Sequence, residues 1–370
     1  MRIALVITEI YPGGAEKCFV NLAGYLQGRG HDIHVWQLWP KPPPEKSQLV
    51  QQLDDLGIAW SSAGAVKPWH FLRATRWLSS ELELFQPQVV QAFLFHANIA
   101  AALATRRLDC RLFGGARVAQ PERWRQRLQG WASKRMEKMV CVSQSVADHI
   151  AKNERVAGEK LSVIPNGIDL CQQAKPVTRN WSELGLPHPA RVLLFVGRLT
   201  EQKGIVEFIE RSARPLLEAL PTHHLVMIGE GERGPALKQL CRASPVGERL
   251  HVVGWQPDAR EWMRLAELIV LPAKYEGMPN VILEAMSVGK PVASFAVDGV
   301  AELLGSATDS KLQMAPPQDF DRLEALIVLL ANHAGLRDEC GRLNLHRAAE
   351  HFELKEQLAK YEQLYLAGPR

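Results

Sequence analysis

No CxxC pair occurs in the 370 residues; the six cysteines, at 18, 110, 141, 171, 241 and 340, stand far apart. That scatter argues against structural zinc and for a reducing compartment. No apolar run approaches the ~20 residues that a membrane span needs. The opening MRIALVITEIYPGG has too short an apolar core for a signal peptide and reads as a first strand. The expected location is therefore the cytoplasm or a membrane surface. H-E-x-x-H, the Walker loop and the G-x-S-x-G elbow are all missing. The only D-x-D, Asp319–Asp321, precedes an apolar helical stretch and reads as helix capping. Neither a metal nor a resident cofactor is expected.

What is present points to an ordinary globular chain. It is 46% hydrophobic and 23% charged, and its length exceeds what one core usually supports, so two domains are expected. The net charge is +4, yet residues 117–138 alone hold seven cations and two acids, or +5. The remainder is about neutral, which disfavours a general nucleic-acid binder.

Strand-length apolar runs alternate with helical stretches. IALVI, HDIHVWQL, PQVVQAF, CRLFGGAR and KMVCVS mark the first half, which LSVIPNGID closes. A polar, proline-bearing stretch at 171–190 reads as a linker. The scheme then restarts with RVLLFVG, HHLVMIG, RLHVVGW, LIVLPA and VASFAV. This predicts two Rossmann-like, doubly wound α/β domains facing across a cleft. They cover residues 1–172 and 173–352, and a final amphipathic helix lies within 353–370.

Four loops after strands could carry chemistry. Gly13 and Gly14 precede the first helix, where backbone N–H groups can meet a phosphate or simply form a tight turn. Arg198 and Lys203 share GRLTEQKG, a pairing suited to a diphosphate or to plain solvation. GEGERG (229–234) matches G-x-G-x-x-G, but no acid follows about 20 residues on at a strand end, which speaks against a nicotinamide cofactor. YEGMPNVILEAMSVGKPV places Glu284 inside a nearly all-apolar helix and Glu276 just ahead of it. That helix should be buried, and a buried carboxylate needs donors from a ligand's hydroxyls or from an ion pair.

Taken together, GGAE (13–16), IPNGID (164–169), GRLTEQKG (197–204), GEGE (229–232) and the glutamate motif resemble glycosyltransferase family 4. The likeness runs along nearly the whole chain in order. It implies a retaining, metal-independent enzyme of the GT-B fold that moves a sugar from a nucleoside-diphosphate sugar to a glycan or lipid-linked acceptor. Glu284 would hold the ribose hydroxyls, and Glu276, with Gly277, Met278 and Pro279, the donor sugar. Arg198 and Lys203 would hold the diphosphate, joined by backbone at Gly13, Gly14 and Asn280. The base would lie near Gly229 and Val253, and the last helix would cross back onto the first domain.

Many relatives carry His-x-His where this chain has Gln91 and Phe93. His96 and Asn98, expected in a following loop, and Arg117 are the candidates for acceptor contact. A nucleotide-sugar binder without catalysis and an NAD-dependent oxidoreductase remain as alternatives. Finally, 121–140 places Trp124, Leu128 and Trp131 at helical spacing among cations. That pattern suits either a helix lying in an anionic lipid interface or a core-packed helix with a solvated basic face.

Overall fold

The computed structural model describes residues 1–119, 122–170, 177–187, 189–305 and 311–368. The chain folds as two compact units, one formed by 1–167 with 354–370 and the other by 168–353. The expected boundary after 172, together with Pro121 and Cys171, lies outside the described residues.

Unit 1 contains β1 (Arg2–Ile7), α1 (Gly14–Gly28), β2 (Asp32–Gln37), α2 (Gln48–Asp55), β3 (Ala59–Ser62), α3 (Phe71–Phe85) and β4 (Val89–Phe93). There follow α4 (Phe95–Ala104), β5 (Arg111–Ala116), α5 (Arg123–Ser133), β6 (Lys138–Cys141), α6 (Gln144–Asn153) and β7 (Leu161–Val163). The strands form one parallel sheet in the order β3-β2-β1-β4-β5-β6-β7, with Ile3 opposite both Ile33 and Val89. Parallel strands covered on both faces read as near-continuous apolar runs, and IALVI and VVQAF, in which Gln91 is the one polar residue, are fully buried.

Unit 2 contains β8 (Arg191–Val196), α7 (Ile205–Ala219), β9 (His223–Ile228), α8 (Gly234–Ala243), β10 (Leu250–Gly254), α9 (Ala259–Leu265) and β11 (Leu268–Leu271). It continues with α10 (Asn280–Ser287), β12 (Val292–Phe295), α11 (Asp298–Leu304), β13 (Met314–Ala315), α12 (Phe320–Asn332) and α13 (Ala334–His351). Its sheet runs β10-β9-β8-β11-β12-β13, again parallel. In each unit the strand order reverses beside the first strand. The loops after β1 and β4, and those after β8 and β11, therefore flank a switch point, where open α/β sheets bind ligands.

The chain returns to unit 1 as α14 (Leu354–Leu366), as the resemblance implies. Leu358, Tyr361 and Tyr365 join the core formed by β1 and α1. The Tyr365 hydroxyl donates to Gln91 Oε1 at 2.9 Å. Glu362 accepts from Tyr25, Arg29 and His31. Burial opposes its charge, but those hydrogen bonds outweigh it and hold the carboxyl below the usual range.

Several elements differ from expectation. Strand β3 (AWSS) is a half-exposed edge with no apolar run, and β13 has two residues, so neither shows a strand pattern. Helix α13 buries only Cys340, Gly341, Asn344 and Ala348, a face too small and polar to stand out. Part of the expected linker is folded. Trp181 begins a short 3-10 turn capped by Asn180 and Glu183 and packs its buried ring 5.1 Å from Trp262. Asp319 caps α12, as expected, by accepting from Arg322 N–H at 2.9 Å.

Candidate functional site

The loop after β8 and the loop after β9 are locked together through backbone. Leu199 N–H donates to Glu230 O at 2.8 Å, and Arg233 N–H donates to Leu199 O at 2.9 Å. The approach is too close for side chains. A Cβ on Gly229, whose φ is +143°, would lie 1.9 Å from Gly197 O, and one on Gly231 would lie 2.4 Å from Leu199 O. The first two glycines of GEGERG thus serve loop packing. Gly229 N–H donates to Gly254 O at 2.8 Å, which brings β10 and Val253 to the same edge.

The loops after β8 and β11 are joined as well. Lys274 N–H donates to Gln202 O, and Gln202 Nε2 donates to Tyr275 O at 3.0 Å. The Lys274 ammonium pairs with Glu201 and Glu207, hydrogen bonds that raise its pKa. This cation was missed in the sequence, where nothing sets a lysine near Glu276 apart from a solvated one.

Within this frame Lys203 forms an ion pair with Glu276. Glu276 is buried, and only 13% of the Lys203 side chain is exposed. Arg198 is exposed, and its guanidinium has no hydrogen bond or ion pair among the described residues. Gly277, Met278 and Pro279 are buried, and α10 begins at Asn280 without a side-chain cap. A Cβ on Gly299 would sit 1.9 Å from Gly277 O, so this glycine lets α11 press on the loop that carries Glu276.

Glu284 corrects the expectation of a fully buried carboxylate. Helix α10 buries Val281, Ile282, Leu283, Ala285, Met286 and Ser287 but leaves Glu284 half-buried. An α-helix packed on one side always has a residue at the rim, and here that residue is the glutamate.

The unit 2 candidates Arg198, Lys203, Glu276, Asn280 and Glu284 thus share the loops and helix start at one sheet edge. Among the described residues, no group of three or more acidic, histidine or cysteine side chains is placed to hold a metal ion.

Two family models match, one described as glycosyltransferase family 4 over residues 12–172 and one as glycosyl transferases group 1 over 190–333. The chain belongs to glycosyltransferase family 4.

Among curated relatives of this family 4 chain is the UDP-Gal:alpha-D-GlcNAc-diphosphoundecaprenol alpha-1,3-galactosyltransferase of Escherichia coli. It is 32% identical over 178 residues, 46% of each chain. The lipopolysaccharide core biosynthesis glycosyltransferase LpsE of Rhizobium meliloti is 34% identical over 118 residues, 32% of this chain and 33% of that one. The chain spans less than half the length of these curated relatives. HepE of Anabaena, solved with UDP and glucose, superposes with a TM-score of 0.83 at 18% identity, covering 98% of this chain and 99% of that one. The fold is GT-B.

Unit 1 of this family 4 protein departs from the expected loop geometry. Helix α4 already begins at Phe95, so His96 and Asn98 are helical. Asn98 is buried, donating to Gly115 O at 3.0 Å and accepting from Gly115 N–H at 3.1 Å. Its amide ties α4 to β5, which removes it from the acceptor candidates. His96 packs against Trp39, Phe71 and Phe95, and burial followed by the nearby Arg125 charge lowers its pKa.

Arg117 lies 4.1 Å over the Phe93 ring, donates to Asn166 Oδ1 at 2.7 Å and donates to the Tyr361 hydroxyl at 3.0 Å. The residue standing in the family's histidine position is thus covered by a cation that also anchors α14. Gly13 is extended at the start of α1, and the Glu16 carboxylate folds over it, 2.2 Å from where a Cβ would be.

Proposed function

We propose that the protein is a retaining glycosyltransferase that transfers a sugar from a nucleoside-diphosphate sugar to a hydroxyl of a glycan or lipid-linked acceptor, without a metal. The observation that supports this reading is that the Lys203–Glu276 pair joins the loops after β8 and β11, which flank the switch point of unit 2, with exposed Arg198 on the first loop and half-buried Glu284 on the helix that follows the second.

In this reading Glu284 accepts from the two ribose hydroxyls, and Glu276 accepts from hydroxyls of the donor sugar. Gly277, Met278 and Pro279 line the sugar, while Gly229 and Val253 border the base. Arg198 and Lys203 hold the diphosphate beside the uncapped start of α10 at Asn280, and Gly13 with Gly14 remains an anion-binding backbone in unit 1. The bond between the anomeric carbon and the phosphate oxygen breaks as the acceptor oxygen bonds to that carbon on the same face. The acceptor proton passes to the leaving phosphate. Negative charge grows on the diphosphate as it leaves, and the two cations stabilise that charge more than the ground state. Arg117 and His96 are the acceptor-side candidates of unit 1.

The E. coli relative is named for a UDP-sugar donor and a diphosphoundecaprenol acceptor, and HepE was solved with UDP. Both names fit a UDP-sugar donor, and the first also fits a lipid-linked acceptor. In this reading the acceptor is met in the cytoplasm at the inner face of the membrane.

Thermal-shift screening with UDP, GDP, ADP and NAD tests the binding half of this reading. A nucleotide at about 100 times its dissociation constant adds ~2.7 kcal/mol of stability. Stabilisation by NAD with failure of every nucleoside diphosphate overturns it. Mass spectrometry of donor turnover with EDTA present tests the chemistry. Turnover that stops and returns with Mn²⁺ refutes metal independence, and binding without turnover leaves a nucleotide-sugar binder.

A further inference from the structure

Among the described residues ten large hydrophobics are exposed, and six of them lie on two segments of unit 1. Val66, Trp69 and Leu72 are 71%, 69% and 62% exposed, in and just before the first turn of α3. Trp124, Leu128 and Trp131 are 54%, 42% and 36% exposed along one face of α5. That exposure disposes of the core-packed alternative for α5.

The segments are distant in sequence but flank one helix, α4. Helices α3 and α5 both pack on α4. At its start Phe71 contacts His96 at 6.3 Å, His96 contacts Phe95 at 5.2 Å, and Phe95 meets Trp124 edge-on at 5.6 Å. A partly buried aromatic chain thus links the start of α3, which carries the first exposed group, to the start of α5, which carries the second.

The same surface is cationic. Residues 66–80 hold Lys67, Arg73 and Arg76 with no acid, and α5 holds Arg123, Arg125 and Arg127 with no acid. Lys67 sits 4.9 Å over Trp69, and Arg125 sits 5.3 Å over both Phe95 and Trp124. An apolar patch of this kind on a water-facing protein marks a contact surface. Tryptophans whose rings bury while adjacent cations reach outward match the boundary between acyl chains and anionic headgroups.

We propose that unit 1 docks on an anionic lipid surface through these two segments acting together, 66–76 and α5. This deepens the lipid-acceptor reading above and rests on it for its purpose, but not on the transferase chemistry.

Cosedimentation with phosphatidylglycerol-containing and pure phosphatidylcholine vesicles tests it on three proteins. These are the wild type, a Trp69→Ser/Leu72→Ser variant and a Trp124→Ser/Leu128→Ser variant. The wild type binds the anionic vesicles at least tenfold more tightly than the neutral ones, and each double variant loses at least tenfold. Because all four side chains are exposed, the unfolding midpoints and the nucleotide thermal shift stay unchanged. That retained shift separates failure of the docking idea from failure of the transferase reading. Wild-type-like binding by the Trp69→Ser/Leu72→Ser variant overturns the two-segment surface and leaves a single-helix contact. Equal binding of wild type to both vesicle types, or to neither, overturns the lipid surface altogether. A dimer that these substitutions dissociate, without vesicle binding, assigns the face to a second copy and also overturns it.

Discussion

Lys203 and Glu276, 73 positions apart in sequence, meet as an ion pair between the loops that follow β8 and β11. A buried carboxylate held by one cation ties the geometry of both loops to a single contact. Arg198, five residues before Lys203, faces solvent instead. Two cations of one loop are therefore separable by experiment.

Lys203→Met leaves Glu276 charged and buried without its cation, which costs about 3 kcal/mol. A lowered unfolding midpoint together with lost turnover is expected. Arg198→Ala removes an exposed group, so stability changes by less than about 0.5 kcal/mol. Turnover should still fall on the order of 100-fold, because charge on the leaving phosphate grows in the transition state. Steady-state kinetics checks this; a change in KM alone would mean that Arg198 only binds the donor.

Glu284→Gln keeps the shape of α10 and replaces a half-buried carboxylate with an amide. Hydrogen bonds to a charged acceptor are roughly twice as strong as neutral ones. Affinity for the nucleoside diphosphate should drop about tenfold by calorimetry, while the unfolding midpoint without ligand holds.

Gly299→Ala puts a methyl 1.9 Å from Gly277 O, so backbone must move. The loop carrying Glu276 is what gives way. A small displacement near reacting groups costs on the order of 100-fold in rate. Crude misfolding is excluded if circular dichroism is unchanged while kcat/KM for the donor falls; wild-type kinetics would show that the loop position is unimportant.

Burial pushes the Glu154 carboxyl up to about 8, and its Oε2 has no hydrogen-bond partner among the described residues. In the unfolded chain this group titrates near ~4.3. Between these values the unfolded chain has lost a proton that the folded chain keeps. Stability therefore falls as pH rises from ~4.3 through about 8, then levels. Glu154→Gln removes that slope. Its unfolding midpoint at pH 9 should exceed that of wild type by on the order of 5 °C, with little difference at pH 5. Parallel pH profiles for the two proteins would place the charge elsewhere.

Much of this protein was legible from residue order alone. Buried parallel strands are continuous apolar runs, so β1, β4, β8, β9 and β11 announce themselves, and the alternation with helices dictates the doubly wound sheets. The candidate cations and glutamates were also visible, because polar residues at strand ends and inside an apolar helix break a local pattern. What tertiary structure alone decided are the relations between distant segments. Lys203 with Glu276, Arg117 over Phe93, Asn98 with Gly115, and Phe95 against Trp124 each join residues that local periodicity cannot connect. The burial of a side chain likewise depends on what packs against its element. That is why Glu284 reached the rim of α10 and why the tryptophans of α5 faced outward.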